Sequence, residues 1–375
     1  MSKGSTWNIW DFHVHSPFSV LNNGFGDNTQ ETTWLNYFQK LDEVAKSKPI
    51  AALGITDYFS IDGYKRVKAH YEKRKEEAQQ NNLDDHFLKG VFIFPNVELR
   101  ILPSTSQDRP INLHLLFSPT IADELEDKLF SQLTFSYNDT TFNCSRNDLI
   151  RLGKKHANAD SMPDDTAYET GVNQFKITVD DLKAVLNANS HIRRNTLVIV
   201  SNSNHDGASG IQHSSLAATR DNIYYFADGI FSANPNDRDY FLGNKVDSPP
   251  EIIRRYRSLK PCIHGSDSHE LDKIGVPDIK RYCWLKSEVS WEGLKYILYE
   301  PDERVKIQED NPEPDKSIYT LSKIGLSATQ VNDFLSMDSL NTALNQNLIT
   351  IIGGRGSGKT ALLDLLASCF HEGAK

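Results

Sequence analysis

Cysteine is scarce in this sequence. Four are present, Cys144, Cys262, Cys283 and Cys369, and no two form a Cys-x-x-Cys pair. That spacing argues against a disulfide framework or a zinc knuckle and fits reduced thiols in the cytoplasm. Long hydrophobic runs are missing too. No segment approaches membrane-spanning length, and Met1-Ser2-Lys3-Gly4-Ser5-Thr6 lacks a hydrophobic signal core. Positive charge is in deficit, with 41 Lys and Arg against 50 Asp and Glu, a net charge of −9. No overall field draws the chain onto nucleic acid, so such a substrate would have to be held by a local basic patch or by metal ions. No internal repeat is visible.

What is present is a series of short apolar runs, each leading into polar residues that can do chemistry. Trp7-Asn8-Ile9-Trp10 precedes Asp11-Phe12-His13-Val14-His15, and Ile50 to Thr56 precedes Asp57. Gly90 to Val97 delivers Glu98, and Ile111 to Phe117 carries His114. Thr196 to Ser201 leads to His205, and Pro261-Cys262-Ile263 leads to Asp267 and His269. Helical spacing is expected between them, over 32–46, 62–80, 121–133, 148–156, 179–187, 251–259 and 291–299. The order is strand, then mostly helix, repeated about seven times, which places the chain in the α/β class. Residues 120–192 are polar and read as an insertion over one face. Residues 308–317 are acidic and contain proline, a linker composition. The expected layout is a domain over 1–305, a linker region over 306–346 and a further unit from 347 to 375.

On an extended strand, alternate residues point to one side, so His13 and His15 can aim two imidazoles at one point. If the strands close into a parallel barrel, their C-terminal ends gather the other polar residues around the same point. Packing gives no reason for so many His, Asp and Glu side chains to sit at strand ends. A set of imidazoles and carboxylates suits zinc, manganese or iron, and two such ions fit the cleavage of a phosphoester. Glu98 is the best-placed carboxylate to bridge them. Arg100 is a candidate phosphate clamp, although a salt bridge to a neighbouring carboxylate would equally occupy it.

His13-Val14-His15-Ser16, Ile55-Thr56-Asp57, Asn96-Val97-Glu98, His114, His205 and Gly265-Ser266-Asp267-Ser268-His269 together resemble the motifs of the PHP (polymerase and histidinol phosphatase) superfamily of metal-dependent phosphoesterases. The resemblance implies a distorted (βα)7 barrel. It implies one ion held by His13, His15, Glu98 and Asp267, and a second by Glu98, His114 and His205. Where that family has histidine after the second motif, this chain has Tyr58, and Ser16 to Asn23 holds no histidine. Two ions are therefore expected rather than three, with His269 the imidazole left over for a third site or for catalysis. Asp57 is expected to orient a liganding histidine.

Gly353-x-x-x-x-Gly358-Lys359-Thr360 is a Walker A motif between an apolar run, Leu348 to Ile352, and an expected helix. Its glycines and Lys359 would bind nucleotide phosphates, with ATP and Mg²⁺ bound only in a complete ATPase domain. Residues 361–375 offer no later acidic strand, so the NTPase part is expected to be incomplete. A PHP module followed by a P-loop is similar to the TrlF-like PHP–ATPase proteins. That resemblance implies a nuclease coupled to an ABC- or SMC-like ATPase, in phage defence or nucleic-acid processing. The leading expectation is a cytoplasmic two-metal nuclease acting on DNA or RNA, with an ATPase partner, no membrane contact, and a homo-oligomer left open. The alternatives are a phosphatase or nucleotidase for small phosphoesters, and a non-catalytic scaffold regulating an ATPase.

Overall fold

The computed structural model describes residues 4–313, 320–332, 335–345 and 347–371. They group into two units, one spanning Trp7–Pro312, the other made of Met1–Thr6 with Glu313–Lys375. Part of the expected linker at 308–317 lies outside the described residues.

The larger unit is an α/β fold built on a nearly closed, barrel-like sheet. Its first strands are β1 (Thr6–His15), β2 (Ile50–Tyr58), β3 (Phe92–Leu102) and β4 (Ile111–Phe117). A separate hairpin follows, β5 (Thr134–Tyr137) with β6 (Thr140–Asn143), and then the two-residue β7 (Ile177–Thr178). The sheet continues with β8 (Thr196–Ser201), β9 (Gly229–Phe231), β10 (Cys262–Ile263), β11 (Tyr282–Ser287) and β12 (Val305–Gln308). The strand order is β10-β9-β8-β4-β3-β2-β1-β11-β12, with β7 added to β3. Beyond β10 the chain passes beside β1, where Val14 and Ser268 form a parallel bridge that closes the sheet from its β10 end onto β1.

Two apolar layers follow from this closure. The lumen is filled by Trp10, Phe12, Phe94, Leu116, Ile199, Phe231 and Ile263. The outer face packs against helices, among them Glu31–Ser47, whose Trp34, Tyr37, Phe38, Leu41 and Val44 form one buried stripe. Strands buried on both faces read as continuous apolar runs, which is why β2 is so uniformly small and apolar. The lumen is a packed core below and opens into a polar layer above.

Most strands are parallel, but β4 runs antiparallel to both β3 and β8, and β12 is antiparallel to β11. This corrects the expected strand–helix repeat. Only residues 103–110 join β3 to β4, and they contain no helix. A parallel return needs a crossover of about a dozen residues, so the short connection forces a hairpin. His114 consequently lies within its strand rather than at a strand end.

The expected helix over 121–133 is broken into Pro119–Glu124, Leu125–Lys128 and Phe130–Gln132, the first and last of them 3-10 turns. The inserted region also holds two helices, Arg146–Ala157 and Asp164–Gln174. The second was not expected, because its sequence has weak apolar periodicity. In the smaller unit, Leu348 to Ile352 forms no strand. Leu348 and Ile352 are exposed, and no described strand offers that run the ladder partner an extended backbone needs. No described helix is long and apolar enough to cross a membrane.

Candidate metal centre

The site is made by an irregularity in β1. Against β2, Trp10 pairs with Ala52 and Asp11 with Leu53, but the next pairing is Val14 with Ile55. Three steps on β1 match two on β2, so β1 carries a bulge around Phe12 and His13. The bulge reverses the alternation of side chains. Trp10 and Phe12 point into the lumen below it, and above it His13 and His15 take the inward positions while Val14 turns to the outer core. Gly54 on β2 makes room, since a Cβ there would stand 2.5 Å from the Phe12 carbonyl oxygen. That carbonyl accepts a hydrogen bond from the Asn96 side chain at 2.8 Å. Asp11 clamps the other side, its Oδ1 accepting from the backbone N–H groups of His13 (3.2 Å) and Ser266 (2.8 Å).

The inward faces of β3 and β4 complete the layer. Phe94, Asn96 and Glu98 alternate inward on β3, and Glu98 pairs directly across with His114 on β4. His13 Nε2 lies 2.9 Å from His15 Nε2 and 3.2 Å from Glu98 Oε2. His15 Nε2 is 3.4 Å from the same carboxylate oxygen. Asp267 Oδ1 stands 3.4 Å from His13 Nε2 and 3.9 Å from His15 Nε2. Two groups of donors emerge, His13, Glu98 and His114, and His13, His15 and Asp267. His13 is common to both. Asp267 presents its carboxylate from a backbone with φ of 49°, a left-handed conformation that non-glycine residues adopt at some cost.

The outer nitrogens of His15, His114 and His269 have partners. His15 Nδ1 is 2.6 Å from Ser19 Oγ, which in turn is placed to donate to the Thr56 carbonyl and to Asp57 Oδ1, each at 3.3 Å. His114 Nδ1 lies 3.2 Å from Asn96 Oδ1. His269 Nδ1 lies 2.8 Å from the Asn22 carbonyl, and its ring stacks on His15 with centroids 3.9 Å apart. An Nδ1–H held by an acceptor leaves Nε2 with its lone pair facing the cluster, the tautomer a metal requires.

The electrostatics agree. Burial drives His15 down to about 4 and His114 down to about 3, and neighbouring imidazoles add to the fall, so both rings stay neutral. His13 moves up, because burial is outweighed by Asp267 and Glu98. Glu98 is held well below the carboxylate range, burial being outweighed by His13 and His15. Crowded, oriented and mostly neutral imidazoles beside ionised carboxylates fit a divalent cation.

The remaining expected residues fall as follows. Asp57 faces away from the lumen, accepting from Ser16 Oγ (2.6 Å) and the Gly63 N–H (2.8 Å), and burial pushes its carboxyl up to about 7. It reaches His15 only through Ser19. Arg100 sits 3.2 Å from Glu98 Oε1 and packs over the Tyr58 ring, so the salt bridge forms and Glu98 keeps Oε2 for the cluster. His205 does not join either group. It is exposed on the loop after β8, its carbonyl tied to Thr105 (2.9 Å) and its Nδ1 3.0 Å from Gln107 Oε1. Ser19 and Asn96 were not singled out as site residues. Both are short polar side chains fully buried near a histidine, a signal visible only in three dimensions.

In the smaller unit, Gly353 to Thr360 runs into the helix Lys359–His371. Gly356 and Gly358 have φ of 82° and 83°, which glycine accepts without strain. Lys359 Nζ donates to the carbonyls of Gly353 (2.8 Å) and Gly354 (2.7 Å).

No protein-family model and no curated protein matches the chain. Solved structures do. A protein from Bifidobacterium adolescentis ATCC 15703 described as a metal-dependent phosphoesterase aligns with 79% of this chain and 97% of its own, at 11% identity and a TM-score of 0.36. PsfC from Pseudomonas syringae PB-5123 aligns with 77% of this chain and 88% of its own, at 14% identity and a TM-score of 0.35. An amidohydrolase from Chromobacterium violaceum, solved with sulfate and no metal, aligns over 80% and 97%, at 12% identity and a TM-score of 0.38. These likenesses are too remote to carry function, which has to be read from the side chains of this chain.

Proposed function

We propose that this chain is a divalent-metal-dependent phosphoesterase of the PHP type, acting on nucleic-acid phosphodiesters. The observation that carries the reading is the convergence of His13, His15, Glu98, His114 and Asp267 at one mouth of the lumen, with Ser19 and Asn96 against the outer nitrogens of His15 and His114. A divalent cation in this cluster would supply a Lewis acid for a phosphoryl oxygen and lower the pKa of an attacking water.

The chain's own residues do the rest. Glu98 and Asp267 balance the cationic charge. Arg100 steadies Glu98, and its side chain, which is mostly buried but lines a neighbouring cleft, would hold a phosphoryl oxygen. His269, at the rim 3.4 Å from Asp267, is placed to exchange a proton with the reacting oxygens. In the reaction the water oxygen bonds to phosphorus and the bond from phosphorus to the leaving oxygen breaks. The proton shed by the water ends on the leaving alkoxide. Coupling to an ATPase and a role in phage defence belong to the same proposal and rest on the P-loop sequence alone.

Metal analysis and hydrolysis assays on wild type and His13→Ala test the reading. Purified wild type should hold at least about one equivalent of Mn, Zn or Fe and cleave bis(p-nitrophenyl) phosphate and single-stranded oligonucleotides. His13→Ala should lose most bound metal and at least about 100-fold in rate. Cleavage of p-nitrophenyl phosphate alone would move the assignment to a small-molecule phosphatase. Wild type that binds no metal and cleaves nothing would leave a scaffold.

A further inference from the structure

Beside the metal cluster lies a cleft of about 490 Å³ whose walls include Arg100, Arg109 and Lys176. One wall is the inserted helix Asp164–Gln174, through Thr170 and Asn173, with Lys176 just beyond its end. The opposite wall is the short β3–β4 connection, which brings Arg109, and β3 itself, which brings Arg100. Arg100 is thus shared. One edge of its guanidinium touches Glu98 in the cluster and the side chain also lines the cleft.

The charge in this cleft is poorly matched. Glu169 is the one carboxylate lining it, against three cations. Arg109 is exposed and makes no ion pair among the described residues. Lys176 is half-buried, and its Nζ donates only to the main-chain carbonyls of Asn173 and Phe175. Burial, and after it the positive Arg100, pull Lys176 down to about 8. A cation brought into a half-buried place and faced there by a second cation is poorly stabilised unless something anionic occupies the space between them. In a chain of net charge −9, this is the local basic patch that a polyanionic substrate needs.

We infer that the Arg100–Arg109–Lys176 cleft is a subsite for a phosphate flanking the one that is cleaved. The substrate class is then a strand carrying consecutive phosphodiesters rather than an isolated phosphoester. The inference rests on the phosphoesterase reading for the position of the scissile phosphate. The insertion serves recognition, because it turns one open side of the barrel mouth into a groove with a basic floor. Thr170 and Asn173 add neutral donors to phosphate oxygens without specifying a base.

The test is a binding titration with phosphorothioate-linked thymidine dinucleotides, which resist hydrolysis, carrying or lacking a terminal phosphate at the 5′ or 3′ end. With wild-type protein, one of the two terminal phosphates should tighten binding about tenfold over the unphosphorylated dinucleotide. That gain should vanish in Arg109→Ala and in Lys176→Met. The first alters an exposed side chain and the second keeps the volume of a half-buried one, so both should fold. Equal binding of all dinucleotides to wild type, or a gain that survives both substitutions, would overturn the subsite. Hydrolysis of bis(p-nitrophenyl) phosphate by wild type is measured alongside. The gain without hydrolysis would leave the subsite standing and remove the enzyme, and hydrolysis without the gain would do the reverse.

Discussion

Ser19 is the residue on which the orientation of His15 turns. Its hydroxyl lies 2.6 Å from the ring Nδ1 and has the Thr56 carbonyl and Asp57 behind it to take its own proton, so it is placed to accept from the ring. Replacing it with alanine leaves His15 Nδ1 buried and unpaired, free to exchange tautomers and to lose its aim. Ser19→Ala should weaken metal binding about 10- to 100-fold, with hydrolysis largely restored at saturating metal. Metal titration of the stripped protein reads the first effect and rates at high metal the second. Unchanged affinity would mean that ring packing alone holds His15. Ser19 was invisible in the sequence, where it is one hydroxyl among many. His13, His15, Glu98, His114 and Asp267 were legible because imidazoles and carboxylates after apolar runs have few structural uses. His205 has the same signal, and the structure places it outside both groups because Gln107 and Thr105 hold its loop.

At the level of elements, the bulge in β1 does the most. A strict alternation would send His13 to the same side as Asp11, away from the lumen filled by Trp10 and Phe12. The extra residue corrects the parity, and Gly54 leaves the space it needs. Gly54→Ala should press a methyl group onto the Phe12 carbonyl and cost about 1–3 kcal/mol of stability. It should also lower metal affinity, because a flattened bulge turns both histidines outward. Urea denaturation and metal titration on the same variant measure the two effects. A loss of stability with full metal affinity would show that the bulge survives by another route. Gly265 plays a matching part across the site, where a Cβ would come 2.4 Å from the His13 nitrogen.

For the molecule as a whole, Lys260 gives a pH signature of folding. It is fully buried ahead of β10, its Nζ donating to the Ala227 carbonyl at 2.6 Å. Burial, with Arg257 adding, lowers it from 10.5 to about 7. Between those values the unfolded chain binds the proton and the folded one sheds it, so stability rises with pH across that window. Urea midpoints from pH 7 to pH 10 should therefore climb in wild type relative to Lys260→Met, by on the order of a few kcal/mol in free energy. A pH-independent difference between the two proteins would show that the lysine stays charged when folded.

The sequence alone indicated the α/β class, the longer sheet strands and several helices to within a few residues, and which imidazoles and carboxylates the fold brings together, His205 excepted. Those follow from local periodicity and from residue chemistry, both of which are properties of neighbouring positions. Tertiary structure alone decided that β4 is antiparallel, that β1 is bulged, that Ser19 and Asn96 lie against the imidazoles, and that Arg100, Arg109 and Lys176 line one cleft. Each of these depends on which distant strand or helix lies alongside, and pairing register and long-range packing leave no trace in a short window of residues.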